Sequence, residues 1–306
     1  MTGAGGRGEG TPVAWLVTGA HGMLGREVVA VLRERGERVW ALGRDGLDIG
    51  DPRAVDAAVR GRRPDVVVNC AGWTRVDDAE EHEPEALRTN GDGVRHLSLA
   101  CRAAGARLVH LSTDYVFDGA AARPYAEDHP PRPVSAYGRT KLAGERAVLG
   151  VLPDTGYVVR TAWLYGRHGR NFVSTMIALE AERDTLEVVA DQRGQPTWAR
   201  DVARQIVPLA DSGAAPGIYH ATNAGEATWH ALAQEVFRLL GADERRVRPT
   251  TAERFRRPAP RPAYSVLGHG RWAEAGRPPP RDWRSALRAA FPSLLEEAER
   301  RARDPK

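Results

Sequence analysis

Residues 13–166 alternate apolar, strand-like runs with helical patterns at intervals of ~30 residues, and few folds accept such a chain. Residues 13–18 read as a buried strand. Residues 23–35 read as a helix, with Met23, Leu24, Val28, Val31 and Leu32 on one stripe. Further strands are expected at 38–42, 65–71, 107–113 and 156–163, and further helices at 84–104 and 136–149. Asp51 followed by Pro52 marks another helix start, an N-cap with proline in the first turn. Strands separated by helices need crossover connections, which implies a parallel sheet. The strands are apolar throughout, as they are when helices cover both faces. The expected class is α/β with a doubly wound parallel sheet. After residue 166 the alternation weakens. Helices are expected at 172–182, 198–210 and 229–240, short strands at 186–190 and 217–221, and two short helices at the end of the chain.

The 306 residues suffice for about two domains and a large core, so no metal or disulfide staple is required. The two cysteines, Cys70 and Cys101, exclude a disulfide framework and a four-cysteine zinc site. No apolar run reaches the ~18 residues of a membrane span. Residues 1–12 are Gly-rich, lack an apolar signal core and are expected to be flexible. A soluble, cytoplasmic protein is expected, without nucleic acid, membrane or metal among its partners. Residues 244–306 carry 16 basic and 8 acidic side chains, which suits either an anionic ligand or a solvated Arg-rich surface. Arginine supplies 42 of the 44 basic residues, so the interior Lys141 stands out. Arginine does not replace lysine where a compact ammonium is needed.

The turn Thr18-Gly19-Ala20-His21-Gly22-Met23-Leu24-Gly25 follows a buried strand and opens a helix. Its glycines let the backbone approach a pyrophosphate, whose charge the helix N-terminus favours. This makes the sheet Rossmann-type. Residues 13–166 are then the dinucleotide-binding domain, with later contributions from about 198–222. Residues 167–306 form mainly a smaller C-terminal substrate domain, interleaved with it. At the end of the second strand, where a carboxylate would favour NAD, stands Arg44, either a partner for a 2′-phosphate or an exposed side chain. The balance is towards NADPH, with NADH possible. Ser112 and Thr113 end the fourth strand. Tyr137 and Lys141 stand at i and i+4, on one helix face. An unperturbed tyrosine has a pKa of ~10, and bringing it to about 7 needs roughly 4 kcal/mol. An ammonium ~4 Å away supplies about that at an effective dielectric of 20. Lys141 is therefore expected to acidify Tyr137, with Thr113 bonded to a substrate carbonyl.

At these residues the chain resembles the extended short-chain dehydrogenase/reductases, and more closely the dTDP-4-dehydrorhamnose reductase family. The resemblance runs from about Trp15 to Phe291. It is carried by Leu111-Ser112-Thr113-Asp114-Tyr115-Val116-Phe117-Asp118-Gly119, by Tyr137-Gly138-Arg139-Thr140-Lys141, and by Asp191-Gln192-Arg193-Gly194-Gln195-Pro196-Thr197. The resemblance implies Gly22, Met23 and Leu24 at the pyrophosphate, beside Gly19, His21 and Gly25 of the same turn. It implies Asp48 and Ile49 at the adenosine and Ala71, Gly72, Trp73 and Thr74 along the cofactor. Asn90 would support Lys141 through water. Thr113, Tyr137 and Lys141 would be the catalytic set. Val76, Thr113, Asp114 and Trp163 would face the sugar, Trp163 being otherwise a core aromatic. Asn171 would also bind substrate, and Arg261 would lie near the nucleotide diphosphate.

What is implied is reduction of the 4-keto group of a dTDP-4-keto-6-deoxyhexose, foremost dTDP-4-dehydrorhamnose, by a monomer or homodimer. Tyr115 stands where related dehydratases carry glutamate, which argues against dehydration. Two alternatives stay open. One is a sister 4-ketoreductase of an antibiotic sugar pathway, such as a dTDP-dihydrostreptose synthase. The other is a non-catalytic nucleotide-binding regulatory subunit.

Overall fold

The computed structural model describes residues 12–211 and 213–303. Apart from Pro12, the segment expected to be flexible lies outside them. Strand β1 (Ala14–Thr18) leads into α1 (Met23–Glu34), β2 (Arg38–Leu42), α2 (Pro52–Arg62) and β3 (Val66–Asn69). Asp51 caps α2 as expected, accepting from the Arg53 and Ala54 amides. The expected single helix over 84–104 is broken into α3 (Glu83–Leu87), a π-turn (Arg88–Asp92) and α4 (Gly93–Ala104). Then come β4 (Arg107–Thr113), α5 (Ala136–Val151) and β5 (Gly156–Thr161).

Strand β5 stops short of the expected end because Trp163 turns left-handed, with φ +43°. The chain continues through β6 (Leu164–Tyr165), α6 (Phe172–Glu182), β7 (Leu186–Val189), β8 (Arg193–Gly194), β9 (Thr197–Trp198), α7 (Ala199–Asp211) and β10 (Gly217–His220). It closes with β11 (Ala227–Thr228), α8 (Trp229–Leu239), β12 (Val247–Thr250), α9 (Gly270–Glu274) and α10 (Trp283–Arg303). The expected pair of short final helices is thus corrected. Leu287, Ala290, Phe291 and Leu294 form one continuous buried stripe, and α10 runs 21 residues straight through Pro292.

The main sheet has the order β10-β5-β4-β3-β1-β2, and every pair in it is parallel. The α/β class with helices on both faces is as expected. One face buries Val28, Leu32, Val202 and Ile206 of α1 and α7. The other buries Val55, Val59, Leu97 and Val148 of α2, α4 and α5. A third core gathers Val173, Phe237, Trp283 and Phe291 of α6, α8 and α10. Strands β2 and β3 flank β1 on opposite sides, so the chain reverses its winding there. In open α/β sheets ligands bind at such a point, beyond the carboxyl ends of the strands. No described helix is long and apolar enough to cross a membrane.

Candidate active site

A cavity of about 760 Å³ opens at that reversal. Its floor is the glycine turn. Gly19 has φ +61°, and a Cβ there would lie 2.5 Å from the Ala71 amide nitrogen. Only glycine brings β1 and the loop after β3 this close. Gly22 starts α1 without a side-chain cap, and the first turn holds no acidic residue. The free amides and the positive helix end therefore face the cavity, as an anion site requires. Gly19, His21, Gly22, Met23, Leu24 and Gly25 all line it.

Arg44, Asp48 and Ile49 line the same cavity beyond β2. Arg44 is exposed and has no ion pair among the described residues. Asp48 is already engaged: Oδ1 accepts from the Gly50 amide at 2.9 Å and Oδ2 from Arg88 at 2.9 Å. Ala71, Gly72, Trp73, Thr74 and Val76 form a wall. Asn90 does not line the cavity. The π-turn presents its buried amide to the back of that wall, where Oδ1 accepts from the Trp73 amide at 2.8 Å and Nδ2 donates to Trp73 O at 3.1 Å. Asn90 thus holds the loop that forms the wall.

Thr113, Asp114, Tyr137 and Lys141 meet across the cavity. Ser135 caps α5, accepting from the Gly138 amide at 3.1 Å, and so sets Tyr137 in the first turn. Ser112 also lines the cavity, and its hydroxyl donates to Glu145 at 2.5 Å. Thr113 donates to Asp114 Oδ1 at 3.0 Å. Among the described residues, Asp114 Oδ2 and Thr161 Oγ1 are buried without a hydrogen-bond partner, and both residues line the cavity. Burial pushes the Asp114 carboxyl up to about 6. Lys141 is 5 % exposed and donates to Leu111 O at 2.6 Å. Burial pushes it down to about 8.

The acidified phenol that the spacing predicted is absent. Burial pushes Tyr137 up to about 12, the Thr113 hydroxyl opposes this, and the Asp114 carboxylate adds to it. The ammonium is tethered to the Leu111 carbonyl behind it, and the phenol loses more by desolvation than it gains from neighbours.

Trp163 lines the cavity and stacks on Trp229, with centroids 3.5 Å apart and planes at 7°. A Cβ on Gly194 would lie 2.4 Å from its ring, so that glycine leaves room for the indole. A left-handed tryptophan stores about 1–3 kcal/mol of strain, and such strain gathers at functional positions. Two expected substrate residues are placed otherwise. Asn171 caps α6, accepting from the Ser174 amide at 3.0 Å and donating to Gly166 O at 2.8 Å. Arg261 pairs with both oxygens of Asp77 at 2.9 Å. Neither lines the cavity. Sequence reasoning missed Tyr115, Thr161 and Arg170, which do. No local pattern marks Arg170, an exposed residue just before a helix cap.

The family model described as the RmlD substrate binding domain matches residues 14–295. The chain belongs to the RmlD family, that of the dTDP-4-dehydrorhamnose reductases. The dTDP-4-dehydrorhamnose reductase of Streptomyces griseus is 60 % identical over 95 % of this chain and 97 % of its own. A protein of Streptomyces niveus named dTDP-4-keto-6-deoxy-D-glucose reductase is 57 % identical over 92 % of this chain and 97 % of its own. The crystal structure of the Bacillus anthracis dTDP-4-dehydrorhamnose reductase in complex with NADP superposes with a TM-score of 0.89, at 35 % identity, over 92 % of this chain and 99 % of that one. For an RmlD family member, the cavity described above lies where the fold calls for a nucleotide.

Proposed function

We propose that this chain reduces the 4-keto group of a dTDP-4-keto-6-deoxyhexose with NADPH, or with NADH, foremost converting dTDP-4-dehydrorhamnose to dTDP-L-rhamnose. One observation carries the reading: Thr113, Tyr137 and Lys141 line the same cavity that begins at the uncapped start of α1. A proton donor and a dinucleotide cradle thus share one space. The near full-length identity to the Streptomyces griseus reductase supports the choice of sugar.

The residues present fit the dinucleotide. The Gly22–Gly25 amides would hold its pyrophosphate, Ile49 and Asp48 its adenosine, and the exposed Arg44 a 2′-phosphate. Bound there, NADPH supplies a hydride to the ketone. Tyr137 gives its proton to the resulting alkoxide. With the phenol pushed up to about 12, it is a fully loaded acid at neutral pH, and an alkoxide is a stronger base than a phenolate. Lys141, protonated below about 8, faces the phenolate that is left with a compact positive charge. Thr113 polarises the ketone once its proton leaves Asp114 for the substrate oxygen. Residues up to 166 hold the dinucleotide and present Trp163 to the sugar, and the later part braces that ring through Trp229. Dependence on reduced dinucleotide supports a cytoplasmic location.

A second reading is a 4-ketoreductase of an antibiotic sugar pathway. It is favoured by 61 % identity to a Streptomyces antibioticus protein named as a probable dTDP-4,6-dihydroxy-2-methyloxan-3-one 4-ketoreductase. The test is incubation with NADPH and a panel of dTDP-4-ketosugars, following loss of NADPH absorbance and identifying products by NMR. Turnover of dTDP-4-dehydrorhamnose to the rhamnose product is expected. Preference for another ketosugar would establish the second reading. Cofactor binding with a flat trace on every sugar would make the protein a nucleotide-binding subunit.

A further inference from the structure

Behind Lys141 runs a buried chain of polar groups that touches no ligand site directly. Thr18 Oγ1 donates to Asn69 Oδ1 at 2.6 Å, and the Ala71 amide donates to the same oxygen at 3.1 Å. A backbone N–H can only donate, so the atom it meets must be the Asn69 oxygen. Asn69 Nδ2 then faces His110 Nδ1 at 3.0 Å. Nδ2 offers only hydrogens, so Nδ1 must offer its lone pair. A neutral imidazole with an accepting Nδ1 carries its proton on Nε2. Burial holds His110 well below the usual histidine range, and Lys141 acts the same way, so the ring is neutral.

The protonated Nε2 lies 3.5 Å from Lys141 Nζ. Gly144 on α5 makes room for it, since a Cβ there would lie 3.1 Å from Nε2. When Lys141 is an ammonium, two donors face each other. Among the described residues, the amine has one acceptor, Leu111 O at 2.6 Å. The other ionisable groups that face it offer no substitute. Burial keeps Cys70 a thiol, Glu145 is bonded to Arg160 and Ser112, and Tyr137 is a neutral phenol.

We propose that His110 is a positioning residue for Lys141: its Nε2–H, set by Asn69, blocks the rear of the amine and turns two of its three protons into the cavity. The arrangement costs the ammonium one internal hydrogen bond, in the same direction as its burial. The effect on catalysis rests on the reductase reading; the tautomer does not.

The test is Asn69→Asp, which nearly preserves shape. Oδ1 keeps Thr18 and Ala71, while Oδ2 now accepts, so the imidazole proton moves to Nδ1 and Nε2 turns its lone pair to Lys141. The alkaline limbs of kcat/KM and of NADPH binding should rise by about 1–2 pH units, the equivalent of one charge-assisted hydrogen bond. The new carboxylate also acts through space, so the same change is made with His110→Phe in place. There only the through-space part should remain, so the rise should be clearly smaller. A rise of the same size in the double variant would assign the effect to charge alone and overturn the proposal.

Nitrogen-15 NMR of histidine-labelled, ligand-free protein reads the tautomer directly, with His110→Phe identifying the signal. A proton on Nε2 is expected in the natural chain and on Nδ1 in Asn69→Asp. A proton on Nδ1 in the natural chain overturns the proposal without reference to the reaction. Failure to oxidise NADPH with any ketosugar would end the reductase reading and leave the NMR result standing.

Discussion

An acid that must protonate an alkoxide does not need a pKa near neutrality; it needs to be loaded and in reach. Tyr137 meets the first condition because burial pushes it up to about 12. Tyr137→Phe should lower kcat by about 10²–10⁴ while NADPH affinity stays nearly unchanged, measured by single-turnover kinetics and fluorescence titration. Unchanged turnover would remove the phenol from the reaction. Asp114 is 2 % exposed, and its carboxyl sits at about 6, above the ~3.9 of an unfolded chain. A raised carboxyl favours the protonated fold. That stabilisation is complete below ~4 and is lost as pH rises through about 6. Asp114→Asn removes the cost of ionisation. The variant should gain up to about 3 kcal/mol over the natural chain at pH ~8, and far less at pH ~4. Urea unfolding at both pH values checks this, and a gap that does not vary with pH would contradict it.

The glycine turn and the π-turn place groups that helices and strands of ideal shape would misplace. At Gly19 both constraints act together, φ +61° and the 2.5 Å approach a Cβ would make to Ala71 N. Gly19→Ala should cost about 1–3 kcal/mol of stability and weaken NADPH binding at least about tenfold, because the pyrophosphate amides shift with the turn. Thermal melts and calorimetric titration test it. Normal affinity would show that the turn does not hold the dinucleotide. The π-turn over Arg88–Asp92 swings the Asn90 amide onto Trp73, which explains why an apparently continuous helix is interrupted just there. Such turns recur at functional positions. On the other side of the cavity, Trp229 at the start of α8 braces Trp163 from behind.

Across the whole molecule, one buried ion pair ties the sheet to its surroundings. Arg160 on β5 bonds both oxygens of Glu145 on α5, at 2.9 and 2.7 Å, and lies over the Phe117 ring. Glu145 also takes the Ser112 hydroxyl, and the two charges are 1 % and 2 % exposed. A buried pair is strongly destabilising to break and much less so to replace. Arg160→Met should therefore cost about 3–5 kcal/mol, while Arg160→Met with Glu145→Leu should recover most of it. Denaturant unfolding of the three chains measures the difference. Equal losses in both variants would show that the pair itself, and not the stranded Glu145 charge, carries the stability.

Periodicity, caps and the two chemical motifs were legible from residue order alone. Apolar spacing marked the strands and helices of the sheet body, Asp51-Pro52 marked a helix start, and the glycine turn and Tyr137-to-Lys141 spacing marked the cavity. Each of these is a local property, set by backbone geometry within a few residues. Tertiary structure alone decided which polar groups are free to meet a ligand. Arg261 is spent on Asp77, 184 positions away, and Asn171 is spent on its own helix. Lys141 is bonded to the Leu111 carbonyl and lies against the His110 imidazole, two neighbours that its spacing from Tyr137 does not announce. Hydrogen-bond partners and desolvation come from segments far apart in the chain, and no spacing rule along the sequence carries that information.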